Sequence, residues 1–178
     1  MSEANERLKE LISEQRIAEA VQRLAAEIRH DVKGRTPVLI GVLKGAFMFM
    51  ADLVRVLGEP VELDFIRIST YGRSDSPIRE PTIACDITLD VKGRDVIVVE
   101  DIVDTGSSLN YLVKHLAARC PRSLKIAALI DKRGRRHCEV KVDYVGIPLE
   151  CGFIVGYGID YAERYRYLPA ICELKKKE

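Results

Sequence analysis

Two short runs of apolar residues set the strongest limit on the fold. They are PVLIGVL (37–43) and DVIVVED (95–101). In the second run, four consecutive apolar residues precede two acids. A strand that is apolar on every side chain is buried on both faces, which is typical of a parallel sheet covered by helices. Each run is followed by a predicted helix, at 45–57 and 106–119. The chain is therefore expected to be an α/β protein with a central, mainly parallel sheet.

Other periodicities extend this sheet and cover it. Residues 14–32 repeat apolar side chains at spacings of three and four, with Ser13 as the N-cap and Gly34 at the end, which predicts a helix. Apolar and polar residues alternate over 61–69, as expected for a strand with one wetter face toward an edge of the sheet. Residues 123–130 are predicted to form a further buried strand.

The remaining segments look less regular. The polar stretch 70–81 contains a glycine and two prolines, and its length indicates function or mobility rather than a simple connection. Residues 82–90 are a strand or the far side of that loop. The glycine-rich tail, 131–178, is predicted to form a small hood of short strands and loops that caps the sheet. We expect one domain over 1–178, with a core at about 14–130 and a hood that also takes in some N-terminal residues.

Composition excludes several classes of protein. The 28 Lys and Arg residues nearly balance the 27 Asp and Glu residues, which does not support nucleic-acid binding through bulk charge. No apolar run approaches the ~20 residues of a membrane span, and the charged N-terminus does not resemble a secretory signal. The five cysteines form no C-x-x-C pair and fit a reducing compartment. A cytoplasmic protein without a membrane or nucleic-acid partner is expected.

The richest chemistry follows the second apolar run, in VIVVEDIVDTGSSL (96–109). Ligands of parallel sheets bind beyond the carboxyl ends of strands. Here these positions hold three acids and four small or hydroxyl-bearing residues: Glu100, Asp101, Asp104, Thr105, Gly106, Ser107 and Ser108. Backbone N–H groups at such a helix start converge on an anion, and the hydroxyls add donors. Because the acids would repel a bare phosphate, a phosphorylated sugar or a bridging Mg²⁺ is expected. The alternative is a helix start capped by Asp104.

The end of the first apolar run is a weaker signal. In GVLKGAF (41–47), Lys44 and Gly45 lie between a strand and a helix start. Backbone N–H groups and an ammonium could bind a second anion there. An ordinary turn with a solvated lysine explains the same residues.

Residues 96–109 closely resemble the 5-phosphoribosyl-1-pyrophosphate (PRPP) motif of the type I phosphoribosyltransferases. The shared pattern is an apolar run, two acids, two spacers, an acid, Thr-Gly and hydroxyls. The resemblance implies that Glu100 and Asp101 hold the ribose hydroxyls, directly or through Mg²⁺, and that Asp104 is the general base. Lys44 and Gly45 match the pyrophosphate loop of the same family, in which the peptide before the lysine can be cis. The type I phosphoribosyltransferase fold is implied for nearly the whole chain.

The tail resembles the purine hood of the 6-oxopurine phosphoribosyltransferases, the hypoxanthine–guanine enzymes. The resemblance implies that Lys132 binds the purine 6-oxo oxygen, that Phe153 stacks on the base, and that the backbone of Ile154 meets its edge. It places Asp160 near Mg²⁺ and the base, and Arg166 on pyrophosphate. Taken alone, 132–136 reads as a solvated basic loop and Phe153 as a core residue.

Two further segments bear on the resemblance. Thr70, Tyr71 and Gly72 match the mobile loop that closes over the active site of the family, with Thr70 where serine is usual. Cys151 and Gly152 depart from the charged or polar residues that the family often has before the stacking aromatic.

The resemblance implies a Mg²⁺-dependent reaction in which PRPP and hypoxanthine or guanine give the nucleoside monophosphate and pyrophosphate. It also implies a homodimer or homotetramer. The competing hypothesis is a regulator with the same fold that senses nucleotides and binds nucleic acid. The balanced charge and the intact hood motif argue against it.

Overall fold

The structure is a computed structural model that describes residues 6–69 and 81–176. In chain order its elements are β1 (Glu6–Ile12), α1 (Glu14–Val32), β2 (Val38–Leu43), α2 (Phe47–Leu57), β3 (Glu62–Ser69), β4 (Thr82–Cys85), β5 (Asp95–Val103), α3 (Ser107–Ala117), β6 (Ser123–Lys132), β7 (Tyr144–Leu149), β8 (Ile154–Val155) and β9 (Ile171–Lys176). None of the described helices is long and apolar enough to span a membrane.

A six-stranded sheet with the order β4-β3-β2-β5-β6-β7 forms the centre of the fold. All neighbouring strands are parallel except β3 and β4, which pair antiparallel at one edge. The predicted central, mainly parallel sheet flanked by helices is therefore confirmed. The chain leaves β2 in one direction to form β3 and later returns to the other side of β2 as β5. This reversal opens a crevice between the carboxyl ends of β2 and β5, where ligands of such sheets bind.

The central strand β5 shows why an uninterrupted apolar run was required. Ile97 and Val99 pack on one face with α1 and α2, whereas Val96 and Val98 pack on the other face with α3. All four side chains are at most 2% exposed. Each buried side chain of this size contributes about 1.5–3 kcal/mol to stability, so both faces of the sheet hold the strand in place.

The helices follow their sequence signals closely. Helix α1 has the predicted bounds: the Ser13 hydroxyl accepts a hydrogen bond from Arg16 N at 3.3 Å, and Lys33 ends the helix in the left-handed region with a φ of 35°. Helices α2 and α3 begin later than predicted because Gly45 and Gly106 remain in the turns that precede them. Both turns lie at the carboxyl ends of strands, which keeps their backbone available to the crevice.

Strand β4 is shorter than the predicted 82–90. Beyond Cys85 the chain leaves the sheet because the Asp64 carboxylate accepts hydrogen bonds from the backbone N–H groups of Thr88, at 2.7 Å, and Leu89, at 2.9 Å. These bonds satisfy amides that would otherwise continue the strand.

The hood differs from its predicted boundary in one element. The sequence assigned residues 144–149 to it, but they form β7, the edge strand of the main sheet, parallel to β6. Tyr144 and Ile147 are buried in the core beside α1, and an edge strand tolerates Pro148, which has no N–H to donate. A separate antiparallel sheet has the order β1-β9-β8, so an N-terminal strand pairs with the C-terminal one.

Candidate active site

A cavity of about 270 Å³ opens at the carboxyl ends of β2 and β5. Leu43 and Ile68 supply part of an apolar wall from β2 and β3. The opposite wall carries the polar residues from the end of β5 and the start of α3: Glu100, Asp104, Thr105, Gly106 and Ser108. The cavity is therefore apolar on one side, and on the other side acids lie beside hydroxyl and amide groups.

The loop before α3 has the form of an anion cradle. Gly106 is the N-cap residue, with a φ of 84°, and no side chain caps the helix there. A Cβ at this position would lie 2.8 Å from the carbonyl oxygen of Cys138, so the close approach also requires glycine. The alternative in which Asp104 caps the helix is wrong. The residues at the start of α3 line the cavity, and the Ser107 amide meets a side chain only at the long distance of 3.5 Å, at the Thr105 hydroxyl, so the helix start resembles sites that bind phosphate.

Arg136 holds this loop from behind, a role that the sequence did not reveal. Its guanidinium donates to the carbonyl oxygens of Asp104, at 3.1 Å, and Val140, at 3.2 Å, and it pairs with the buried Asp131. Only 17% of the side chain is exposed. In the sequence, Arg136 is one of four cations in five residues, and nothing local distinguishes the covered Lys132 and Arg136 from the exposed Arg133 and Arg135.

The acid pair at the end of β5 is only partly open to the cavity. Asp101 is 6% exposed, and a Cβ on Gly45 would overlap its carboxylate. Burial, and then the charge of Asp101, raise the pKa of Glu100 well above its usual range. Burial also raises the pKa of Asp101, although its hydrogen bond with Glu100 and the charge of Arg166 act in the opposite direction. Two carboxylates this close resist joint ionisation unless a cation approaches.

The two carboxylate oxygens of Asp104 differ, because one lies near cations and the other has no hydrogen-bond partner among the described residues. Its Oδ2 lies 3.5 Å from Lys132 Nζ and 3.6 Å from an Nη of Arg135. Its Oδ1 is buried and has no hydrogen-bond partner among the residues that the structure describes. Buried carboxylate oxygens normally have partners, so Oδ1 is a candidate acceptor for a ligand proton. Lys132 is 4% exposed, which excludes the solvated-loop interpretation for that residue.

An exposed aromatic ring stands at the entrance to β8. Phe153 is 51% exposed, so the core interpretation of this residue is wrong. Its ring meets Tyr161 edge-on, with centroids 5.3 Å apart and an interplanar angle of 90°. Because about half of the side chain is exposed, part of the ring surface remains available for stacking. The neighbouring Ile154 is 4% exposed and opens strand β8.

The cations predicted to bind pyrophosphate converge on one carboxylate. Glu163 Oε1 lies 2.9 Å from Lys44 Nζ, and Glu163 Oε2 lies 3.2 Å from an Nη of Arg166. Arg166 also pairs with Asp160 at 2.7 Å. Hydrogen bonds from Lys44 and then Arg166 lower the pKa of Glu163. The peptide between Leu43 and Lys44 is cis.

The structure does not test two features predicted from the sequence, the mobile loop and the metal site. Thr70, Tyr71 and Gly72 lie outside the described residues. Within residues 6–69 and 81–176, no group of three or more His, Cys, Asp or Glu side chains could by itself hold a metal ion. Any metal at Glu100 and Asp101 would therefore take further ligands from substrate or water.

Comparison with known proteins agrees with this geometry. Residues 8–162 match the family model of the phosphoribosyl transferase domain. The chain belongs to the phosphoribosyltransferase family.

Its relatives narrow the class further. The chain is 45% identical over 167 residues to a hypoxanthine-guanine phosphoribosyltransferase of Bacillus subtilis, covering 94% of this chain and 93% of that protein. It is 44% identical over 163 residues to a hypoxanthine phosphoribosyltransferase of Salmonella typhimurium, covering 90% and 92% of the two chains. A crystal structure of a hypoxanthine-guanine phosphoribosyltransferase from Bacillus anthracis superposes with a TM-score of 0.89 at 42% identity, covering 96% of this chain and 99% of that one.

Proposed function

We propose that this chain transfers the 5-phosphoribosyl group of PRPP to hypoxanthine or guanine and releases pyrophosphate with IMP or GMP. The observation that carries the proposal is the buried, unpartnered Oδ1 of Asp104, a residue that lines the same cavity as the anion cradle and Glu100, with Asp101 buried next to Glu100. A ligand with a phosphate, ribose hydroxyls and a transferable proton matches all three features.

The proposed reaction exchanges one bond at the sugar carbon C1′ for another. The bond from C1′ to the pyrophosphate oxygen breaks, and a bond from C1′ to the purine N9 forms. The purine loses its N7 proton to Asp104, whose Oδ1 has no competing partner in the described part of the chain. The amides at the start of α3, with the hydroxyls of Thr105, Ser107 and Ser108, bind the 5′-phosphate.

Lys132, at the end of β6, and two residues of the hood are proposed to select the base. Lys132 is buried within 3.5 Å of Asp104, so an ammonium and a proton acceptor stand side by side. The ammonium donates to the 6-oxo oxygen of hypoxanthine or guanine, whereas the 6-amino group of adenine would present a second donor. Phe153 stacks on the purine ring through its exposed surface, and the backbone of Ile154 meets the purine edge.

Pyrophosphate and Mg²⁺ are proposed to share the remaining residues. Lys44, Gly45 and Arg166 bind pyrophosphate, whose charge they offset. Glu100 and Asp101 are hard oxygen donors, and proteins often bind Mg²⁺ through one or two carboxylates together with substrate oxygens and water. Asp160 lies next to these residues because it forms an ion pair with Arg166. When bound, Mg²⁺ neutralises the charge that develops on pyrophosphate.

The proposal includes the oligomeric state of the enzyme and its location in the cell. We expect a cytoplasmic homodimer or homotetramer with no nucleic-acid partner. Light scattering after size-exclusion chromatography distinguishes the two oligomers.

A product assay tests the proposed activity. Purified protein with PRPP, Mg²⁺ and hypoxanthine is expected to form IMP and pyrophosphate in equal amounts, and a chelator is expected to stop the reaction. Protein that binds PRPP but forms no nucleotide with hypoxanthine or guanine would contradict the proposal. Salt-sensitive binding to random nucleic acid would then favour the regulator hypothesis.

A further inference from the structure

Glu163 occupies an unusual position between two cations. One oxygen of its carboxylate meets Lys44 Nζ at 2.9 Å, and the other meets the guanidinium of Arg166 at 3.2 Å. Lys44 follows strand β2, whereas Arg166 follows the hood strand β8. A single carboxylate therefore joins the two sides of the crevice and neutralises both groups proposed to receive pyrophosphate.

The local backbone directs Glu163 toward these cations. Ala162 and Glu163 have φ angles of 52° and 63°, in a left-handed conformation that is uncommon for residues other than glycine. The amide of Glu163 donates to Asp160 Oδ2 at 2.8 Å, which fixes the turn. The Glu163 side chain is nevertheless 66% exposed, so an incoming anion can displace it without opening the core.

We propose that Glu163 is an internal substitute for pyrophosphate, a carboxylate that holds Lys44 and Arg166 in the empty site and competes with pyrophosphate for them. This inference rests on the proposed function. Two oxygens on one anionic group reproduce, over a shorter span, the contacts that two phosphate oxygens make with an ammonium and a guanidinium. Binding of pyrophosphate must break both ion pairs, or accept the repulsion of the carboxylate that remains nearby.

The consequence is weaker binding and faster release of pyrophosphate. Exposed ion pairs are each worth little, so the competition lowers affinity moderately and leaves the site able to bind. When product departs, Glu163 can replace each pyrophosphate contact as it breaks. Glu163 is in this sense a residue that sets affinity and release, while the reacting atoms are handled by other groups.

The substitution Glu163→Gln tests the inference because it keeps the shape of the side chain and removes its charge. Titration calorimetry with inorganic pyrophosphate is expected to show binding about three- to tenfold tighter than in wild type at low salt. The advantage should shrink as ionic strength rises from roughly 0.05 M to roughly 0.5 M, because screening weakens the competing pairs. In the forward reaction the KM for PRPP should fall and kcat should not rise.

Two further variants control the experiment. Glu59→Gln removes the same charge from an exposed residue before the amino end of β3, away from the carboxyl ends of the strands where Lys44 lies, and should leave pyrophosphate binding unchanged. Glu163→Asp keeps the charge on a shorter side chain and should fall between wild type and Glu163→Gln.

Several results would overturn the inference. If Glu163 only braces the loop, Glu163→Gln should bind pyrophosphate equally well or more weakly, and the salt dependence should be unaltered. If wild type forms IMP and Glu163→Gln binds pyrophosphate no more tightly, this inference alone is wrong. If wild type neither binds pyrophosphate nor forms IMP or GMP, the proposed function fails and the inference fails with it.

Discussion

Asp104 is a single residue whose two carboxylate oxygens have different surroundings. Lys132 and Arg135 lie near Oδ2, at 3.5 and 3.6 Å, and orient the group. Oδ1 is buried with no partner among the described residues, which is costly in the empty protein unless a ligand or water completes it. A proton acceptor that is fixed and unoccupied in this way suits a general base.

The variant Asp104→Asn should lower kcat by roughly 10²–10⁴-fold, the usual contribution of a general base. The amide has nearly the same shape but cannot take the purine proton. Steady-state kinetics with hypoxanthine measure kcat, and direct titration with PRPP checks that affinity for the sugar changes little. A kcat close to that of wild type would remove Asp104 from the role of base.

Contiguity decided which site residues could be recognised in the sequence. Glu100 to Ser108 lie in one stretch at the end of an apolar strand, so their residue types and order carry the signal. Arg136 and Glu163 act through partners that are 32 and 119 residues away, the backbone of Asp104 and the ammonium of Lys44. No local pattern marks such contacts, because they are created only when the hood meets the sheet.

For helices and strands too, predictions that rest on signals within the segment were correct, whereas those that depend on a neighbouring strand were not. Helix α1 was predicted to the residue because its cap and its periodicity both lie within the segment. Strand β7 was assigned to the hood because its short length and proline do not reveal its neighbour. Its place is set by pairing with β6 and by burial of Tyr144 and Ile147 against the core. Strand partners are a tertiary property that period-two alternation cannot supply.

The amino end of β5 depends on one buried carboxylate. Asp95 is 5% exposed and accepts hydrogen bonds from Arg35 at 2.6 Å, Arg122 at 3.0 Å and the Ser123 hydroxyl at 2.7 Å. The hydrogen bonds from Arg122, followed by those from Ser123 and Arg35, lower the pKa of Asp95 below its ordinary value of 3.8, against the effect of burial. The network joins β5, β6 and the turn after α1 at the amino ends of the strands, opposite the carboxyl ends where the candidate active site lies.

Asp95→Asn should lower the free energy of unfolding by about 1–3 kcal/mol near pH 7, because the arginines lose their ionic partner while remaining partly solvated. The folded-state pKa is lowered, so this contribution is complete above the unfolded value of 3.8 and is lost as the pH falls below it. Urea denaturation near pH 7 and near pH 3 should therefore give a large difference between variant and wild type at the first pH and a smaller one at the second. A difference that is equal at both, or that is matched by Glu59→Gln, would count against the network.

In the whole molecule, two separate sheets carry the residues of the candidate active site. The reversal between β2 and β5 supplies the anion loops and the acids, and the hood supplies Phe153, Ile154, Asp160 and Arg166. The ion pairs of Glu163 with Lys44 and Arg166 join these two parts. The acids and anion loops of the candidate site were predicted from motifs in the sheet and the hood residues from the family resemblance, whereas the ion pairs of Glu163 were visible only in the tertiary structure.

The ratio of kcat/KM for hypoxanthine to that for adenine shows whether this chain acts on 6-oxopurines. The measurement uses wild-type protein with saturating PRPP and Mg²⁺ and follows nucleotide formation for each base. We expect a ratio of at least about 10³, because adenine would leave the buried Lys132 ammonium facing an amino group instead of an acceptor. A ratio near one, or turnover of adenine alone, would show that this chain does not select 6-oxopurines.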